Sequence, residues 1–112
     1  MNAYQLGFIY ELRAARYVRR RGYKLLSRRF RAGEGEIDLV VRDGDMLVFV
    51  EVKARPEGRL GSGIDAVSAD KRRRIRSAAR AYCARFGYTD QSCRFDILEF
   101  TRAGIYYMEN AF

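Results

Sequence analysis

Residues 35–53 constrain the fold of this chain more than any other stretch. Residues 37–41 and 46–54 are rich in β-branched and apolar side chains, and Asp43-Gly44-Asp45 stands between them. Asp-Gly between two such runs is a strong hairpin signal. The first strand then carries Gly35-Glu36-Ile37-Asp38 and the second Phe49-Val50-Glu51-Val52-Lys53. Side chains alternate along a strand, so Glu51 and Lys53 share a face, as do Glu36 and Asp38. A turn on Asp43-Gly44 puts Asp38 across from Phe49 and diagonal to Glu51. A turn on Gly44-Asp45 puts Asp38 directly opposite Glu51. The two registers differ by the side-chain period, so both predict Asp38, Glu51 and Lys53 on one face.

Either register also opposes two acids, Glu36 with Glu51 or Asp38 with Glu51. Like charges so placed destabilise a sheet by roughly 0.2–1 kcal/mol, and a bound cation beside Lys53 would offset that. Two carboxylates and an ammonium on adjacent strands are the combination that metal-dependent phosphodiester hydrolysis needs. The plainer alternative is a half-buried strand whose polar face happens to read Glu-x-Lys. Leu47 and Phe49 on the same face weigh against a simple solvated surface.

Composition narrows the chemistry. A chain of 112 residues is one domain spanning 1–112, with room for a single core. It has no histidine, which excludes Ser-His and Cys-His nucleophile pairs, an imidazole base and His-ligated zinc. Two cysteines, Cys83 and Cys93, cannot build a structural zinc site and form no disulfide framework, which suits a reducing cytoplasmic setting. A metal here must be held by oxygen, which favours Mg²⁺ or Mn²⁺ over zinc. No apolar run is long enough to span a membrane, and no basic-then-apolar leader opens the sequence. The net charge of +8, from 22 Lys and Arg against 14 Asp and Glu, points to a polyanionic partner, nucleic acid first.

Periodicity predicts a helix over residues 3–21 with Asn2 and Gln5 as a capping box. Leu6, Ile9, Tyr10, Ala14, Tyr17 and Val18 are its expected buried stripe. Glu11 flanks that stripe among Gly7, Ala14 and Ala15, a space that leaves its carboxylate free to lean toward the sheet or to pair with an arginine. Residues 23–31 read as a strand ahead of the hairpin. Residues 55–68, with Pro56, Gly58, Gly61 and Gly63, read as a loop that could move over a substrate. Ser68 caps a second helix stopped by Gly87, with Ile75, Ala78, Ala79, Tyr82, Cys83 and Phe86 as its buried face. Lys71, Arg72, Arg73, Arg74 and Arg76 crowd its exposed side with only Asp70 opposing, a bias toward phosphate contact. Residues 93–100 and 105–108 read as closing strands, with Asp96 pairing a nearby arginine. The order α-β-β-β-α-β-β predicts a mixed-sheet α/β sandwich.

These elements resemble the PD-(D/E)XK restriction-endonuclease-like superfamily, with its αβββαβ core, here with an extra C-terminal strand. More narrowly the chain resembles the YraN-type family of small bacterial proteins, similar in motif to archaeal Holliday junction resolvases. The resemblance rests on Gly7 and Glu11; Arg29-Phe30-Arg31; Gly35-Glu36-Ile37-Asp38; Val48-Phe49-Val50-Glu51-Val52-Lys53; Lys71-Arg72; Arg94-Phe95-Asp96; and Ala111-Phe112. It implies Asp38 and Glu51 as metal ligands, Lys53 as the residue that positions the attacking water, Glu11 as a third acidic ligand, and Lys71 as a candidate for the polar residue that the second helix contributes. The expected activity is hydrolysis of DNA, in preference to RNA and with branched or distorted DNA in view, with Arg55 and the basic second helix on the backbone; the alternative is a nucleic-acid-binding module that keeps the nuclease fold without turnover. Dimers are common in that superfamily, although no seam is legible in this sequence.

Overall fold

The computed structural model describes residues 1–55 and 67–112. The element order is α1 (Ala3–Arg20), β1 (Lys24–Ala32), β2 (Gly35–Asp43), β3 (Met46–Ala54), α2 (Ala69–Phe86), β4 (Cys93–Thr101) and β5 (Gly104–Met108). The expected loop with Pro56, Gly58, Gly61 and Gly63 lies outside the described residues, apart from its ends.

Local chemistry accounts for the element ends. Asn2 Oδ1 accepts the Gln5 N–H at 2.8 Å while Gln5 Oε1 accepts the Asn2 N–H at 2.9 Å, closing the capping box. Ser68 Oγ accepts the Lys71 N–H at the start of α2, and Gly87 ends that helix in the left-handed region at φ +80°. The hairpin turns on Gly44-Asp45, with Gly44 at φ +60° and Asp43 paired to Met46.

The five strands form one sheet in sequence order. β1, β2 and β3 are an antiparallel meander, β4 joins β3 in parallel after the α2 crossover, and β5 returns antiparallel on β4. Each face of the sheet carries one helix. Ile37, Val40, Leu47, Phe49 and Ile97 pack under Ile75, Ala78, Ala79 and Tyr82 of α2. Leu39, Val41, Val48, Val50 and Leu98 pack under Ala14 and Val18 of α1. This is the predicted α/β sandwich. Gly35 lets β2 approach α2, since a Cβ there would sit 2.2 Å from the Arg74 carbonyl oxygen.

The buried stripe of α1 differs from the periodic expectation. Ala14 and Val18 are buried as read, but Leu6 and Ile9 are exposed, and Glu11 and Ala15 take their place inside. Only the C-terminal half of α1 packs directly on the core; its N-terminal half stands off the sheet across a cleft that Ala3, Tyr4 and Gly7 line with Asp38, Val52 and Ala54.

A polar network closes the end of the sheet near the hairpin turn. Fully buried Asp96 accepts Arg94 Nε–H with both oxygens at 3.1 Å, the Asn110 N–H at 2.8 Å and the Tyr107 hydroxyl. Arg94 also reaches Asp43 at 3.0 Å and the Tyr23 hydroxyl at 2.9 Å. Asp96 is thus structural, tying β2, β4, β5 and the C-terminal segment together.

Candidate active site

β2 and β3 part where their acids stand. Their ladder runs from Asp43–Met46 to Leu39–Val50, the register in which Asp38 would next face Glu51. At that step the Asp38 side chain takes over, its Oδ2 accepting the Val52 N–H at 2.7 Å. On the other side, β1 pairs Arg28 with Leu39 and then Phe30 with Ile37, stepping over Arg29, which sits at φ +54°. A non-glycine residue there is uncommon and marks a local irregularity. Ile37 and Val40 both pack on the α2 side while Leu39 packs on the α1 side, so alternation loses a step at Asp38.

That step corrects the simple one-face geometry expected from strand periodicity. Asp38 lines a cleft of about 400 Å³ under α1, with Gly7, Tyr10, Glu11, Arg29, Glu36 and Val52 among its walls. Glu51 is instead buried toward α2, where its Oε1 lies 2.7 Å from Lys71 Nζ and 3.3 Å from Lys53 Nζ. The two carboxylates therefore lie on opposite sides of the β2–β3 seam, Asp38 in the cleft under α1 and Glu51 toward α2.

They still feel one another. Burial first, and the Glu51 charge second, push the Asp38 pKa up to about 7, against the pull of the Val52 N–H and Lys71. Burial and the neighbouring Lys71 lower the Lys53 pKa despite Glu51. Burial also opposes the charge on Lys71, but its hydrogen bond to Glu51 prevails and raises the pKa. Two carboxylates and two ammonium groups thus share a region in which one acid and one amine are shifted toward neutrality. Such perturbation is a mark of a functional site when it coincides with a cleft.

The remaining expected residues divide. Glu11 is drawn into ion pairs, held by Arg29 Nε and within 3.9 Å of Arg28 Nη1, the arginine pairing that its helical position also allowed. Lys71, first read among the phosphate-contacting cations, turns inward to Glu51. Arg73 and Arg74 are tied to Asp70, and Arg73 also reaches Glu34. Arg72 donates to the Val67 carbonyl and lies over Phe112, and Arg76 lies over Phe95 and Phe112. Among the described residues no carboxylate comes within ion-pair distance of Arg72 or Arg76. Arg55 follows β3, its N–H bonded to the Phe100 carbonyl at 2.8 Å.

Glu99 escaped the sequence reading. It is fully buried and is the register partner of Lys53 across the parallel β3–β4 pair. Its one sequence signal was a carboxylate inside an apolar strand, Ile97-Leu98-Glu99-Phe100, a placement that is costly without a partner.

Among the described residues no three Asp, Glu, Cys or His side chains form a metal cage. The pair Asp38 and Glu51 is a set of hard oxygen donors, suited to a cation that binds through one or two carboxylates and keeps several waters, as Mg²⁺ does. Burial, and the Glu51 charge after it, make the ionised form of Asp38 costly, and a bound cation would offset that cost. Among the described residues, no helix is long and apolar enough to cross a membrane.

Comparison with known sequences adds a family. Residues 10–100 match the model of the uncharacterised protein family UPF0102. A UPF0102 protein of Pelotomaculum thermopropionicum is 42% identical over 113 residues, covering 96% of this chain and 94% of that protein. One of Symbiobacterium thermophilum is 45% identical over 89 residues, covering 80% and 75%. One of Geobacter metallireducens is 42% identical over 111 residues, covering 96% and 91%.

Proposed function

We propose that this chain, which belongs to the UPF0102 family, is a metal-dependent nuclease acting on DNA, with branched or distorted DNA the first substrate to test. The observation that carries the reading is the acid pair itself. Asp38 and Glu51 flank a parted seam, Glu51 held by Lys53 and Lys71, and burial with the Glu51 charge raises the Asp38 pKa to about 7.

In this reading Asp38 and Glu51 hold Mg²⁺ or Mn²⁺, which when bound polarises a phosphate oxygen and lowers the pKa of a coordinated water. Lys53, its pKa lowered by burial, is the group best placed to hold that water and offset charge growing on the phosphate. Lys71 orients the Glu51 carboxylate from α2. Val52 fixes Asp38 through its N–H. Arg72, Arg76 and Arg55 track the phosphate backbone, giving salt-sensitive binding without base readout.

One observation favours a second reading, a nucleic-acid-binding module that retains the nuclease fold without turnover. Glu51 is already neutralised by Lys53 and Lys71, and Glu11 by Arg29, so neither acid needs a metal for charge balance. A Mn²⁺-dependent cleavage panel on duplex, single-stranded, flap and four-way-junction DNA separates the two. The enzyme reading expects cleavage that Asp38→Ala and Lys53→Ala abolish while binding persists. Binding that ignores both metal and Asp38→Ala, with no cleavage of any substrate, establishes the module instead.

A further inference from the structure

A second cavity, of about 440 Å³, opens between α2 and the start of β4, on the other side of the sheet from the Asp38 cleft. Arg76, Arg80 and Cys83 of α2, Tyr88 of the loop that follows, and Cys93 and Phe95 of β4 line it. Phe95 stacks on Phe49 and Phe112, and Tyr88 lies parallel to Tyr82 with ring centroids 6.1 Å apart, so both rings are fixed walls. No residue lining the cavity is acidic. The ion pairs of α2 engage Lys71, Arg73 and Arg74, and among the described residues none reaches Arg76 or Arg80.

Two independent rises place this cavity relative to Glu51. In the parallel β3–β4 pair Phe95 faces Phe49 and Cys93 faces Leu47. Those partners precede Glu51 by two and four residues, or roughly 7–13 Å at about 3.3 Å each. Along α2, Arg76 and Arg80 follow Lys71, which reaches Glu51, by roughly 8–14 Å at about 1.5 Å per residue. The two agree. The cavity and Glu51 share the α2 side of the sheet, about two to four steps of a duplex strand apart at roughly 3.4 Å a step. Arg72, Arg76 and Arg80, spaced four residues apart on one side of the helix, run from one to the other.

Chemistry selects the occupant. An uncharged apolar ligand leaves two guanidinium groups unused, and a bare phosphate leaves the aromatic walls unused. A nucleotide supplies a planar base for Tyr88 and Phe95 and a phosphate for Arg76 and Arg80. A base paired within a duplex has both faces covered by its neighbours and cannot enter a cavity, whereas an unpaired one can. Thr89 and Gln91, the polar residues of the lining, are exposed, so the grip is stacking and charge, with little preference among bases. We propose that this cavity binds one unpaired nucleotide of a DNA strand whose backbone runs along Arg72, Arg76 and Arg80 toward the acid pair. The assignment deepens the reading above and rests on its nucleic-acid part alone, since it makes bulged or flapped DNA the preferred ligand with or without turnover.

Fluorescence anisotropy of the full chain in a chelator compares a duplex, the same duplex with one bulged nucleotide, and that bulge made abasic. Wild-type protein is expected to bind the bulge at least ~10-fold tighter than the duplex and at least ~5-fold tighter than the abasic bulge. Cys93→Trp, which fills the cavity, brings base and abasic bulges within ~2-fold. Arg80→Gln weakens the bulge at least ~5-fold more than the duplex, whereas Arg85→Gln, the same change at an exposed position of α2 outside the cavity, weakens both alike. Far-UV circular dichroism identifies any variant that fails to fold. A footprint on the wild-type chain needs no variant, because its two cysteines both line the cavity. Saturating bulged DNA slows alkylation of Cys93 by N-ethylmaleimide at least ~5-fold, and saturating duplex or abasic bulge does not. Burial raises both thiol pKa values, so the reaction is run at about pH 8.5. Equal affinity for base and abasic bulges, alkylation that bulged DNA does not slow, or a loss with Arg85→Gln as selective as with Arg80→Gln overturns the proposal and leaves nucleic-acid binding standing. So does protection of Cys93 by free dAMP at lower concentration than by bulged DNA, which makes this a site for a free nucleotide. A chain that binds none of the three DNAs overturns the nucleic-acid reading along with it.

Discussion

Replacing Asp38 by asparagine should make the metal-free protein more stable at neutral and alkaline pH. The Asp38 carboxyl is half-buried and pressed by Glu51, and its pKa rises from 3.8 to about 7 on folding. An acid with a raised folded pKa holds its proton longer in the native state than in the unfolded chain. Stability is therefore greatest below about 4 and drains away as pH climbs toward about 7, where the native carboxyl finally ionises. A tenfold change in proton affinity is worth about 1.4 kcal/mol, so the ceiling is about 4 kcal/mol. Residual solvent at a half-buried group reduces this, and about 2–4 kcal/mol is expected at pH 8. The amide of Asp38→Asn would keep an oxygen for the Val52 N–H while carrying no charge, so the gain should appear as a rise in Tm of about 8–15 °C.

The assay is urea unfolding of both proteins in a chelator from pH 4 to pH 8. The difference between the two curves cancels the background titration of this basic chain. That difference should be near zero at pH 4 and grow through the window between 3.8 and about 7. Added Mn²⁺ should then raise the stability of the wild type at pH 8 and do little for the variant, because only the wild type has a charge pair to relieve. A variant less stable than wild type at pH 8, or a difference that does not change with pH, would refute the account of Asp38 as a strained, partly desolvated acid.

Three further outcomes follow from the geometry. Gly35→Ala places a Cβ 2.2 Å from the Arg74 carbonyl oxygen and 2.9 Å from the Ala78 Cβ; forcing β2 from α2 should cost about 2–4 kcal/mol, measured by urea unfolding. Arg94→Met strands Asp96 as a buried charge and should cost about 3–5 kcal/mol, and Asp96→Asn added to it should recover part of that loss in the same assay. The double change Arg72→Gln with Arg76→Gln should weaken duplex binding and lower the salt slope of log K by roughly 1–2, read by fluorescence anisotropy; an unchanged slope would move the phosphate track away from this face of α2.

Most elements were legible because their signals are local. The Asn2–Gln5 box, the Ser68 cap, the Gly87 stop and the Gly44 turn each act over a few neighbouring residues, and all occur as read. β3 matches its expected span, Met46–Ala54. The site was legible as a set of residue types and less so as a geometry. Alternation forecast a common face for Asp38, Glu51 and Lys53, yet the irregularity opposite Arg29 turns Asp38 under α1. Charge pattern alone grouped Lys71 with the surface cations, and only the family resemblance pointed it to the site, because its own helix cannot reveal that the β3–α2–β4 crossover brings it to Glu51. Leu6 and Ile9 carried the right period for burial, but a period does not say how closely the sheet approaches each turn of the helix.

What this chain's sequence determined alone is the short-range part: caps, turn, strand order by hairpin, and a donor set without histidine that restricts any metal site to oxygen ligands. Those properties depend on neighbours a few bonds away and survive without any packing. Tertiary structure decided which charges meet and how strongly they are perturbed. The Asp38 pKa comes from burial, from Glu51 on the next strand and from Lys71 across a crossover, contributions that exist only when distant segments exclude water from the space between them.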